Sequence, residues 1–277
     1  MARPIPAVLS IAGSDSGGGA GIQADLKAFA RCGVYGMTAI TALTAQNTVG
    51  VTGVHPVPGP FIVEQVRAVA DDIGVDAVKI GMLGTAAIVE AVDEALDLLE
   101  PGTPVVIDPV MVAESGAVLL DDAARGALVE TLLPRATVIT PNLPEARVLA
   151  GAGAPDDADE LARALHVLGP GVVVVTGGHR EEVTDVLFDG DGIHLIEGER
   201  HPGGAAHGSG CTHSSVLAAQ LALGRSPLQA AQIARAIAAA AVRDGLRGLG
   251  RGPGPVDVLS LTGGGAAGAY DVRASRV

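Results

Sequence analysis

The sequence predicts an α/β fold: a doubly wound, mainly parallel β-sheet with helices on both faces. Three observations predict it. Short β-branched apolar runs alternate with longer stretches of helical periodicity, the pattern that builds parallel sheets by crossover connections. Hydrophobic residues make up 48% of the 277, yet aromatics are 2% and tryptophan is absent, so the core must be aliphatic. Polar residues Asp108, Asn142 and Thr176 fall at or just after the ends of expected strands, where open α/β sheets bind ligands.

Each element follows from its local pattern. Residues 6–12 form an apolar run that reads as a buried strand, followed by a glycine loop and a helix over 21–31. A strand is expected over 37–43. Residues 61–72 place Phe61, Ile62, Val66 and Val69 at helical spacing, with Ile73 just beyond. Next come a strand at 77–80, a helix at 86–99, a strand at 105–107 that ends on Asp108-Pro109, and a helix at 122–132. A strand at 137–140 precedes helices at 144–150 and 158–168, and 172–175 is a wholly apolar strand. Residues 183–188 and 192–196 flank Asp189-Gly190-Asp191-Gly192, a hairpin signal. Two helices, 211–223 and 227–246, close the order.

Charge and cysteine usage narrow the function. The net charge is −13, with no basic stripe or aromatic platform, which argues against nucleic acid as a partner. Residues 201–224 lack charged side chains but are interrupted by His, Ser, Thr, Gln and Gly, so no membrane span is expected. The two cysteines, Cys32 and Cys211, lie far apart; a reducing, cytoplasmic setting is the expectation.

The stretch His207-Gly208-Ser209-Gly210-Cys211-Thr212-His213 immediately precedes an apolar helical run. Small residues there admit close backbone approach, and the first N–H groups of a helix have no intrahelical partner. Such a turn is a natural anion hole, and a cysteine at its start is expected to ionise more readily than a free one. Metal ligation by His207, Cys211 and His213 lacks a second pair at zinc spacing. The flanks of Ser209 do not match the Gly-x-Ser-x-Gly nucleophile elbow. The first glycine loop, Gly13-Ser14-Asp15-Ser16-Gly17-Gly18-Gly19-Ala20-Gly21, matches neither dinucleotide nor P-loop spacing; it reads equally as a connection or as a ligand loop. Gln46 is either a loop residue or an amide that reads a heteroaromatic edge. Asp108 and Glu145 are a carboxylate pair suited to Mg²⁺, although Glu145 and Asn142 are also what a helix start favours.

Seven segments carry a resemblance in order: residues 13–27, Thr41 to Val49, Lys79-Ile80-Gly81-Met82-Leu83, Asp108-Pro109-Val110-Met111, Thr140 to Ala146, Thr176-Gly177-Gly178-His179, and His207 to Thr212. Together, over about residues 5–256, the chain resembles the hydroxymethylpyrimidine/phosphomethylpyrimidine kinases. The resemblance implies a ribokinase-like fold; with no linker-like break, 1–261 reads as a single kinase domain, and the Gly/Ala-rich residues 262–277 read as a disordered C-terminal tail. It implies ATP- and Mg²⁺-dependent phosphorylation of 4-amino-5-hydroxymethyl-2-methylpyrimidine and then of its monophosphate, in thiamine biosynthesis. By position it implies Gln46 as the pyrimidine reader, surrounded by Asp25, Gly13, Met82 and Val110. Asn142, Glu145, Thr176 and Gly178 fall to the nucleotide, and Asp108 and Glu145 to the metal. Gly208, Ser209 and Gly210 would form the anion hole beside Cys211 as catalytic base, and a homodimer is implied. The chain departs from the family at Thr176 and Glu114, where lysines are usual, and at Ala205-Ala206, where Asn-Thr is usual. A kinase of a related alcohol such as pyridoxine, or a catalytically impaired pyrimidine-binding protein, stands as the alternative.

Overall fold

The computed structural model describes residues 4–112, 116, 119–177 and 184–262. Nine strands form one sheet in the order β3-β2-β1-β4-β5-β6-β7-β8-β9. They are β1 (Ala7–Asp15), β2 (Tyr35–Asn47), β3 (Gly50–Pro56), β4 (Ala77–Ile80), β5 (Val105–Ile107), β6 (Val138–Ile139), β7 (Val172–Val175), β8 (Asp185–Phe188) and β9 (Ile193–Ile196). The six strands from β2 to β7 in that order run parallel; β3 and β8 run against them, and β9, antiparallel to β8, returns to their direction. Strand order reverses at β1, whose neighbours are β2 and β4. The carboxyl ends of β1 and β4 therefore flank a topological switch point, the usual crevice for a ligand.

Alternation within strands builds two cores. In β7, Val173 and Val175 face one cluster while Val172 and Val174 face the other. The first cluster is covered by α2 (Gly59–Asp72), α3 (Ala86–Leu96), α5 (Leu143–Ala150) and α6 (Ala158–His166), reached by α4 (Asp122–Ala127). The second packs under α1 (Gly21–Cys32), α7 (Ser209–Ala222) and α8 (Pro227–Arg243). Both faces carry helices, as the strand–helix alternation requires.

Several boundaries differ from expectation. β1 and β2 run on to Asp15 and Asn47, and β3 was not anticipated. Its side chains are largely exposed, so it has no buried alternation to read, and Pro56 sits at its end as an edge strand tolerates. The helix expected over 122–132 stays α-helical only to Ala127 and widens over Leu128–Leu132. Phe61 is 61% exposed, and the buried stripe of α2 is Ile62, Val63 and Val66. Thr262, expected to begin a frayed tail, is tied to Asp257 through its backbone N–H and its hydroxyl; residues 263–277 lie outside the described residues.

Candidate active site

Helix α7 opens with Gly208 as its N-cap, at φ 83°, a left-handed conformation that glycine adopts without strain. A Cβ there would collide with the Gly19 carbonyl, so this turn and the first glycine loop abut backbone to backbone. The Ser209 N–H donates to the Ala206 carbonyl and the Thr212 N–H to the Gly208 carbonyl, each at 2.9 Å. Between them lie the amides of Gly210 and Cys211, in the turn where a helix offers no acceptor. With the positive helix end they make this turn a candidate anion hole. A Cβ built on Gly210 would lie 3.9 Å from Asp108 Oδ2, which places that hole beside the end of β5.

The first glycine loop is arranged in the opposite sense. Asp15 turns its carboxylate into the loop, accepting from the amides of Gly17 at 2.7 Å, Gly19 at 3.0 Å and Ala20 at 2.9 Å. His207 Nε2 lies 3.4 Å from Asp15 Oδ2. Burial works against the charged carboxylate, yet His207 and the Gly17 and Ala20 amides hold Asp15 below the usual carboxylate range. These amides are occupied, so the loop is a connector that joins the α7 mouth to the rest of the site.

Cys211 does not behave as its helix position suggested. Burial pushes its thiol up to about 12; Lys79 and the Gly21 amide draw it down, while Asp25 and Asp108 push it further up. At a helix start the dipole favours the thiolate, but here desolvation dominates. Asp25, expected to line the acceptor, is withdrawn from solvent altogether at 0% exposure. It accepts from Ser10 Oγ at 2.6 Å and Ser215 Oγ at 2.7 Å, and pairs with Lys79 Nζ at 3.0 Å. The next serine on α7, Ser214, donates to Asp108 Oδ2 at 3.0 Å.

Of the residues expected at the nucleotide, Asn142, Glu145 and Thr176 lie together. Asn142 caps α5 by accepting from the Glu145 N–H at 3.0 Å, and Glu145 Oε2 accepts from the Asn142 N–H at 2.9 Å, a capping box. Asn142 also bridges Thr176, whose N–H donates to the Pro141 carbonyl at 2.9 Å. Both cap residues thus have a structural duty independent of any ligand. Gly178 and Glu114 lie outside the described residues. Burial, and then the neighbouring Asp108 carboxylate, push Glu145 up to about 8; burial also raises Asp108. Two carboxylates that repel at the edge of an anion hole suit Mg²⁺, which takes one or two carboxylates and completes its shell with water and phosphate oxygens. Among the described residues no group of three or more His, Cys, Asp or Glu could hold a metal unaided.

Of the residues expected around the acceptor, Gly13 and Met82 meet at the switch point. A Cβ on Gly13 would lie 3.0 Å from Met82 Sδ, so any larger residue there would crowd the Met82 thioether. The Thr41 hydroxyl donates to the Met82 carbonyl at 2.7 Å. Gln46 is fixed through its backbone, its N–H and carbonyl both meeting the Ser16 hydroxyl, and its Oε1 lies 3.1 Å from Thr44 Oγ1. Ser16 belongs to the loop that abuts Gly208, so one loop touches both Gln46 and the anion hole. Val110 sits in the turn after β5, its N–H donating to the Asp108 carbonyl at 2.8 Å. Beside Met82 an apolar cavity of about 230 Å³ is lined by Ala42, Val54, Pro56, Leu83 and Ile88.

Sequence reasoning missed Lys79, Ser214, Ser215 and Asp15 as members of the site. Signals existed for two: a lysine in the otherwise apolar strand Ala77–Ile80, and an acidic residue inside a glycine loop. The serines gave none, because Ser is common near helix starts.

The phosphomethylpyrimidine kinase family model matches residues 15–257. The hydroxymethylpyrimidine/phosphomethylpyrimidine kinase of Bacillus subtilis is 46% identical over 255 residues, covering 90% of this chain and 93% of that protein. The thiamine biosynthesis bifunctional protein of Geobacter sulfurreducens is 46% identical over 258 residues, which is 92% of this chain but 52% of that protein; the chain spans about half of that relative. Among solved structures, the pyridoxal kinase from Staphylococcus aureus in complex with AMP-PCP and pyridoxal matches with a TM-score of 0.84 at 33% identity, covering 94% of this chain and 96% of that one.

Proposed function

The chain belongs to the phosphomethylpyrimidine kinase family, and from that premise we propose that it carries out two phosphoryl transfers from ATP in thiamine biosynthesis. The first acceptor is the hydroxymethyl group of 4-amino-5-hydroxymethyl-2-methylpyrimidine; the second is the resulting monophosphate, which becomes the pyrophosphate. We assign both to one kinase domain, residues 1–261. The observation that carries this reading is the seating of an anion hole beside two mutually repelling carboxylates, joined to Gln46 through a single loop.

In each transfer the acceptor oxygen bonds to the γ-phosphorus as the bond to the β–γ bridging oxygen breaks, and ADP leaves with that electron pair. The Gly210 and Cys211 amides face the charge that spreads over the equatorial oxygens. Gly208 and Ser209 shape the turn that presents them. In the first transfer the hydroxyl proton passes to Cys211 Sγ, which must be thiolate at that moment; a raised pKa makes that form scarce. In the second, the acceptor phosphate oxygen carries no proton that must be removed near neutral pH. Asn142, Glu145, Thr176 and Gly178 are assigned to the ATP phosphates. Asp108 and Glu145 would hold Mg²⁺, which when bound neutralises charge between phosphate oxygens. Gln46 reads the pyrimidine edge, and Gly13, Met82 and Val110 wall the ring, while Asp25 lies beneath them.

We further assign a homodimer: Leu43 and Val54 are 47% and 48% exposed on the β2–β3 hairpin, and β3 is an open sheet edge of the kind a second copy covers. A cytoplasmic location rests on the two unpaired cysteines. Among the described residues no helix is long and apolar enough to cross a membrane. A second acceptor, pyridoxal or pyridoxine, is favoured by the likeness to the Staphylococcus aureus enzyme.

The test is direct. Purified protein is incubated with ATP–Mg²⁺ and, in turn, the pyrimidine, its monophosphate and pyridoxine, and products are resolved by ion-exchange chromatography. Mono- then diphosphorylated pyrimidine is expected. Turnover of pyridoxine alone would replace the reading with the second, and tight pyrimidine binding without product would reduce it to a binding protein.

A further inference from the structure

Strand β8 opens on an acidic residue that the transfer steps above leave unused. Alternation turns Leu187 toward the core beneath α7 and α8, and Asp185, two residues earlier, shares that face. A carboxylate therefore stands where the strand would otherwise place an aliphatic side chain, and it is fully buried. Its Oδ1 accepts from the Gly177 N–H at 2.8 Å. Gly177 follows Thr176, and a Cβ on it would collide with the Thr184 carbonyl, so the end of β7 and the start of β8 abut there.

His213 on α7 and Arg235 on α8 approach the same carboxylate. His213 Nε2 stands 3.5 Å from Oδ2 and Arg235 Nη1 3.7 Å from Oδ1, both longer than a good hydrogen bond. Among the described residues neither Oδ2 nor the ring nitrogens of His213 have a hydrogen-bond partner. Burial opposes the charged form, yet His213, Arg235 and the Gly177 amide hold Asp185 below the usual carboxylate range. A buried charge is costly unless closely paired, so stability alone explains this one poorly. Its short bond goes instead to a backbone amide beside Thr176, which is assigned to the ATP phosphates.

We propose that Asp185 and His213 are positioning residues for the nucleotide: the carboxylate pins the Gly177 amide, and with it Thr176, while His213 ties that point to α7. This rests on the assignment of Thr176 and the α7 mouth above and deepens it. On its other side Thr176 is tied to Pro141 and Asn142 at the start of α5. The pin thus completes a span from α5 through Thr176 and Asp185 to the helix that carries the candidate anion hole. Without it the buried Gly177 N–H loses its acceptor, and Thr176 loses one of its two anchors. The acceptor residues Gly13, Met82 and Gln46 are held by other contacts.

Isothermal titration calorimetry on the full chain, with ADP–Mg²⁺ and with 4-amino-5-hydroxymethyl-2-methylpyrimidine separately, tests this. Asp185→Leu is expected to weaken ADP about tenfold, the worth of one hydrogen bond, and to leave pyrimidine affinity unchanged. Asp185→Asn, which keeps an oxygen for the Gly177 N–H, is expected to bind ADP within about threefold of wild type. His213→Leu leaves that bond in place and serves if Asp185→Leu fails to fold; it is expected to weaken ADP about threefold, again without change in the pyrimidine. A merely structural role would weaken both ligands alike or neither, and either result would overturn the proposal. So would an Asp185→Asn variant no tighter than Asp185→Leu, or a His213→Leu variant equal to wild type. Wild type that binds the pyrimidine but no ADP would instead refute the kinase reading itself, so the two failures are distinguishable.

Discussion

Two glycine-rich turns of similar composition meet at the site and behave oppositely. In residues 13–21 the amides point inward, because Asp15 lies within the turn and accepts three of them. In residues 207–212 there is no acidic side chain, and the Gly210 and Cys211 amides lie in the first turn of α7, where a helix offers them no acceptor. Glycine content marks where a backbone can turn tightly. Whether the turn keeps N–H groups for a ligand depends on whether it supplies its own carboxylate.

The contrast breaks most severely at Gly208. Gly208→Ala adds a left-handed cost of about 1–2 kcal/mol and a collision with Gly19, so kcat for both acceptors should fall roughly a thousandfold as the hole loses shape. Steady-state assays beside circular dichroism would show whether activity is lost while the fold remains. Cys211→Ala should lower the first transfer on the order of a hundredfold and the second far less. With the thiol pushed up to about 12, the thiolate fraction grows tenfold per pH unit. The wild-type first transfer should therefore climb between pH 7 and 9 while the second stays flat; parallel profiles for both acceptors would remove the sulfur from proton transfer.

Asp15→Asn tests the inward-facing turn. A carboxylate with a depressed folded pKa stabilises above its unfolded value, near 3.9, and loses that contribution as pH falls through the folded value. Wild type should exceed the variant by about 1–3 kcal/mol at pH 7, and the gap should narrow in acid; urea titrations at pH 7 and pH 3 measure it. The smallest effect is expected at Gln46→Ala, which should raise KM for the pyrimidine roughly tenfold, the worth of one or two hydrogen bonds, with kcat little changed.

Much of the architecture was legible because β-branched runs such as Val172–Val175 and helical stripes such as that of α6 speak locally. β3 was illegible because an exposed edge strand buries neither face. Within the site, backbone rules alone could place a helix start at residues 207–211, and Gly208 is indeed the N-cap of α7. Asn142 and Glu145 could be read as a cap, and the structure makes them one. The ionisation of Cys211 could not be read, since a helix end is a local feature whereas desolvation depends on what packs above it. Nor could the partnership of Lys79 with Asp25, 54 positions apart, be seen before the strands and α1 were assembled.

The hairpin that bears Gln46 is latched from far away. Thr48 Oγ1 accepts the amides of Arg251 and Gly252, each at 3.2 Å, and a Cβ on Gly250 or Gly252 would collide with Thr48. The contacts that hold this hairpin are therefore completed by residues some two hundred positions further along the chain. A substitution near residue 251 can thus disturb the Gln46 hairpin without touching it.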